Sequence, residues 1–183
     1  MGRFDVAWSQ ATHGGHAFDV FAPTDHPHGA VLWLHGYDQR PIRGRALFEA
    51  AFAEQNLLVV CPTGGQNWWL NDAVDGFEPP LTPARLVVDL LPEWIKQEWR
   101  LTSPRIALAG IGMGGQGAIN LGLRHARRFP VVAAISPDID FHQWYGRGTP
   151  LDRIFTSTEA ARQQTATLHL HPLNWPRHLL MVC

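Results

Sequence analysis

The chain has 183 residues, 45% of them hydrophobic and 17% charged, with a formal net charge of −1. That length suits one domain with a sizeable core, and eight tryptophans in so apolar a composition exclude a disordered chain. With 15 basic residues against 16 acidic ones and no basic block, a general nucleic-acid binder is excluded, and no apolar run approaches the roughly 20 residues of a membrane span.

Two cysteines, Cys61 and Cys183, are too few for a disulfide framework or, alone, a zinc site. The opening MGRFDVAWSQATHGG lacks the apolar centre of a secretion signal, so the expected address is cytoplasmic.

Phe4, Val6 and Trp8 alternate with Asp5 and Ala7, and Phe18 and Val20 flank Asp19. With Gly14-Gly15 between them, these runs predict an antiparallel hairpin. Continuous apolar runs follow at GAVLWLHG (29–36), NLLVVCP (56–62), RIALAG (105–110), VVAAIS (131–136) and HLLMVC (178–183). Such runs belong to strands covered on both faces, as in a parallel sheet.

Helical patterns separate them. ALFEAAFAEQ (46–55) sets Leu47, Phe48, Ala51 and Phe52 on one side. A longer helix starts at the cap Thr82 with Pro83 first, and Pro92 predicts a kink in it. A third runs from about Gly114 to Arg127, and a short fourth begins where Thr156 and Glu159 have capping-box spacing. Strands separated by helices after an antiparallel start define an α/β class, a doubly wound, mostly parallel sheet. Its ligands gather at the carboxyl ends of the strands.

The stretch RIALAGIGMGGQGAINLGLRHA (105–126) runs a buried strand through five close glycines into a helix. Two machines use such a turn. In a nucleophile elbow, G-x-S-x-G, the frame is Gly110-Ile111-Gly112-Met113-Gly114, with Gly112 at the nucleophile position. The dinucleotide fingerprint G-x-G-x-x-G is matched literally by Gly110, Gly112 and Gly115, with Asp138 or Asp140 as its acid. A tight turn without a ligand is the third reading. The fingerprint normally follows the first strand of its unit, whereas this turn follows at least four.

LWLHGYDQ (32–39), PTGGQNWWLND (62–72), GIGMGGQGA (110–118) and AAISPDID (133–140), in that order, resemble the α/β-hydrolase superfamily. The nearest branch is the esterase D / S-formylglutathione hydrolase type of carboxylesterase. The resemblance implies one hydrolase-like domain over residues 1–183. Its reaction would be hydrolysis of a carboxylic ester or thioester through an acyl-enzyme, with no cofactor. It makes Tyr37 and Met113 the backbone donors of the oxyanion hole.

Trp68, Trp69 and Trp144 read as an apolar wall for a small ester or acyl ligand, or else as core plugs beneath long loops. Asp138 and Asp140 read as strand-end or capping residues. Cys61 reads as a small buried residue, and His169 and His171 as polar side chains on a strand without a third metal ligand.

The departures matter more than the matches. Gly112 offers no nucleophile, and none of the ten histidines stands where the family base would. The resemblance places the acid just past HLLMVC and the histidine beyond one further strand, so all three triad positions are expected to be missing. An inactive, C-terminally incomplete form of a serine carboxylesterase is the expectation. A catalytically silent binding module and a dinucleotide-binding protein are the alternatives. The terminal strand is expected to leave an open sheet edge, inviting homodimerisation or aggregation.

Overall fold

The computed structural model describes residues 7–72 and 74–183. Among these residues seven strands form one sheet in the order β1-β2-β4-β3-β5-β6-β7. They are β1 (Ala7–His13), β2 (His16–Ala22), β3 (Gly29–Leu34), β4 (Leu57–Pro62), β5 (Ile106–Ile111), β6 (Val131–Ile135) and β7 (His178–Val182). The first pairings, β1 with β2 and β2 with β4, are antiparallel. All the others are parallel. The mostly parallel sheet with its antiparallel start is the one the sequence predicts. Phe4 and Val6 of the expected hairpin lie outside the described residues.

Side chains of the central strands alternate between two cores. Leu32, Leu34, Leu58, Val60 and Leu108 face one layer, built from α2 (Pro83–Arg85), a π-helical segment (Leu86–Leu90), α3 (Leu91–Trp99) and α4 (Met113–Arg124). Val31, Trp33, Val59, Cys61 and Ala109 face the other layer, where α1 (Ala46–Glu54) contributes Phe52. Burial on both sides is why these strands read as unbroken apolar runs.

Cys61 is buried as expected, and burial beside Asp19 pushes its thiol well above the ordinary range. It is therefore an inert packing residue. At the far edge of the sheet β7 pairs only with β6 among the described residues, leaving Leu180, Met181 and Val182 exposed.

Helix details depart from the sequence reading in instructive ways. Thr82 caps α2 as expected, its hydroxyl accepting the Arg85 N–H at 3.2 Å. The deformation near Pro92 is spread backward, because a proline in the first turn of α3 cannot donate to the preceding turn, and residues 86–90 adopt π pairing.

In α1, Leu47 is 88% exposed and Phe52 alone is buried, so the apolar stripe is narrower than its composition suggests. The cap of the helix Thr158–Gln163 is Ser157 and not Thr156. Its hydroxyl accepts the Ala160 N–H, while Glu159 turns outward to Arg162. His169 ends a 3₁₀ turn (Ala166–His169) and is not on a strand with His171.

Candidate active site

The carboxyl ends of β3, β4, β5 and β6 converge on Gly112. This residue caps α4 with φ 54° and ψ −118°, a left-handed conformation that a side chain takes only under strain. The turn is locked from below, because Gly112 N–H donates to Ile135 O at 2.9 Å and Gln116 N–H to Gly112 O at 2.9 Å. Close approach needs its neighbours to be glycine too: a Cβ on Gly114 would overlap the Leu34 carbonyl oxygen. The glycine spacing is thus fixed by packing α4 against β3 and β5. In the helix itself the boundary is Met113–Arg124, shifted toward the strand relative to the expected Gly114–Arg127.

Tyr37 follows the β3 end and Met113 follows Gly112. Neither main-chain N–H has an acceptor among the described residues. Gln66 holds the Tyr37 loop, its side-chain amide donating to Tyr37 O at 3.2 Å. Beside this turn opens a cavity of about 670 Å³. Trp33, Ile42, Phe48, Ile111 and Ile135 supply its apolar lining, which Gly36, Tyr37, Gly112 and Asp138 share. Arg40 and Arg45 also line it, Arg40 being paired with Asp38 at 3.3 Å.

The expected tryptophan wall is not part of this cavity. Trp68 and Trp69 are 2% and 1% exposed and lie beneath the turn. Both have positive φ, 54° and 55°, so the loop after β4 folds back under the sheet end. Asn67 Oδ1 accepts the Trp69 N–H at 2.7 Å, and the Trp69 indole N–H donates to His35 O at 3.3 Å. The Trp68 N–H points at Met113 Sδ, 3.3 Å away. Trp68 thus touches both residues that present the free N–H groups, its ring lying 5.9 Å from that of Tyr37 and its main-chain N–H meeting Met113 Sδ. Trp144, in α5 (Phe141–Trp144), packs against Trp68 at 6.4 Å between ring centroids and does not reach the cavity either.

His35 is buried against Trp69, and desolvation lowers its pKa below the usual histidine range. It is a neutral packing residue at the β3 end, and among the described residues no histidine lines the cavity.

Asp138 sits just past the end of β6, as its sequence reading has it, and is half-buried there; desolvation pushes its carboxyl above the ordinary range. Asp140 does sit beside a helix start, immediately before α5, where it accepts the Gln143 amide at 2.9 Å. Sequence reasoning also passed over Gln116, fully buried one turn into α4 with both amide atoms unpaired among the described residues. Its place in GGQGA was visible, but its burial follows only from the tilt of α4.

A sheet of this order, with a strand–glycine turn–helix at its centre, defines an α/β-hydrolase fold. The chain belongs to the esterase family whose model, described as "Putative esterase", matches residues 9–171. It is similar in structure to an S-formylglutathione hydrolase from Agrobacterium tumefaciens, with a TM-score of 0.74 and 20% identity over 96% of this chain and 73% of that one. It is also similar to FphF, a fluorophosphonate-binding serine hydrolase of Staphylococcus aureus, with a TM-score of 0.74 and 16% identity over 98% and 79% of the two chains. MPT51 of Mycobacterium tuberculosis gives a TM-score of 0.63 at 18% identity over 88% and 65%. At these identities the likeness establishes the fold. No curated protein sequence matches the chain.

Proposed function

We propose that the cavity beside Gly112 binds a small carboxylic ester, thioester or acyl group, and that serine acyl-transfer chemistry has been lost. One observation carries this reading. Gly112 has a positive φ, as a nucleophile elbow does, near the Tyr37 and Met113 N–H groups that have no acceptor among the described residues, but it has no side chain. Tyr37 and Met113 N–H would hold the carbonyl oxygen, as the oxyanion hole of the family does.

The cavity volume, about 670 Å³, falls within the range of small-molecule sites, and its aromatic and aliphatic walls suit an apolar acyl or aryl group. A thioester is included because one structural neighbour is an S-formylglutathione hydrolase. The Asp138 carboxylate beside the turn would repel a pyrophosphate, which favours an uncharged ester over a dinucleotide at the Gly110-x-Gly112-x-x-Gly115 spacing.

The test is calorimetric titration with the ketone isostere of p-nitrophenyl acetate, in which a methylene replaces the ester oxygen. Saturable binding that is abolished when Ile111→Trp fills the cavity is expected. Absence of saturable binding to the parent chain at millimolar ligand would sink the reading.

A further inference from the structure

Replacing a serine by glycine removes the nucleophile but leaves open the space it would use. A Cβ built on Gly112 would meet a single atom within 4 Å, Asp138 Oδ2 at 3.6 Å. Asp138 is held in place by the turn itself, its main-chain N–H lying 3.4 Å from Gly112 O. Its carboxylate lines the same cavity as Tyr37 and Gly112. A water lodged where a serine hydroxyl would stand is one bond length beyond that Cβ point, within hydrogen-bond reach of the carboxylate. An ester carbonyl held by the Tyr37 and Met113 N–H groups would face that water.

We propose that Asp138 is a general base for direct attack of water on a bound ester, giving slow hydrolysis without an acyl-enzyme. This rests on the ester-binding reading above and adds a catalytic residue to it. In the first step the water O–H bond breaks and its proton passes to Asp138 Oδ2. The water oxygen bonds to the carbonyl carbon, and the C=O π pair moves onto the carbonyl oxygen, facing the two N–H groups. In the second step that pair re-forms the double bond and the bond to the alkoxy oxygen breaks. The leaving oxygen takes the proton from Asp138, so the products are a carboxylic acid and an alcohol and the carboxylate is regenerated.

Burial supports the assignment, since a carboxylate whose pKa is raised is a stronger base than one in water. The other charged groups lining the cavity are Asp38, Arg40 and Arg45. Asp38 and Arg40 offset each other across their 3.3 Å ion pair.

The experiment measures hydrolysis of p-nitrophenyl acetate by the full chain, above the buffer rate, against Asp138→Asn and Asp138→Ala. Asp138→Asn should lower the rate at least about a hundredfold, the lower end of the roughly 10²–10⁴ that general bases contribute. Added formate should restore part of the rate to Asp138→Ala. Both variants should still bind the ketone isostere. Removing a desolvated charge should leave Asp138→Asn folded and no less stable.

A parent rate equal to buffer, or an Asp138→Asn rate equal to the parent's, overturns the role of Asp138. Failure of the isostere to bind the parent chain overturns the underlying ester-binding reading instead.

Discussion

The indole N–H of Trp69 donates to the carbonyl oxygen of His35 across 3.3 Å, tying the loop after β4 to the end of β3. Both residues are buried, so this bond has no water to replace it. Trp69→Phe keeps most of the packing and orphans the His35 carbonyl. The unfolding free energy from urea denaturation should fall by about 1–3 kcal/mol, the cost of leaving a buried acceptor unsatisfied. An unchanged value would mean that the loop is held by packing alone.

Gly117 shows the same loop from the side of α4. A Cβ there would come within 2.6 Å of Trp69 Cβ and 2.7 Å of its Cδ1. Alanine is the better helix former by about 1 kcal/mol, but overpacking a rigid indole costs about 1–3 kcal/mol. Gly117→Ala should therefore destabilise, lowering Tm by a few degrees in a thermal melt. A raised Tm would show that Trp69 yields easily.

Gly112→Ser places a side chain at a residue with φ 54°. Strain of this kind costs about 1–3 kcal/mol, and denaturant unfolding should register a loss in that range. The new hydroxyl would take the place of the water proposed beside Asp138, and with no imidazole lining the cavity among the described residues an acyl-serine would have no second base for its hydrolysis. Ester turnover should not exceed that of the parent. Robust turnover would mean that an acid and a base have been misplaced.

Burial depresses the pKa of His35, and it does the same to His125 and His169. For each, the folded state binds its proton less readily than the unfolded chain, whose histidines titrate near the ordinary 6.5. Their contribution to stability is complete above that value and is lost as pH falls through the lower folded values. Urea midpoints should therefore decline between about pH 7 and about pH 5. His35→Gln should lessen the slope. A midpoint that rises on acidification in this window would contradict the burial of these rings.

The five apolar runs, the Thr82 cap and the strand–glycine–helix turn were legible in the sequence because each has a local cause. Two-sided burial produces unbroken apolar strands, and the cap and turn depend on residues adjacent in the chain. The positions of Trp68 and Trp69 were not legible. Their burial depends on two successive left-handed residues and on the side chain of Asn67, a loop geometry that no period announces. Asp138 was legible only as a residue at a strand end. Only the meeting of β6 with the β5–α4 turn brings its carboxylate to Gly112.

The measurement that tests the central claim most directly is intact-mass spectrometry of the chain after incubation with a fluorophosphonate probe. With Gly112 at the apex of the turn, no covalent adduct should form. A stoichiometric adduct would contradict the account, since some other side chain would then be an activated nucleophile in this site.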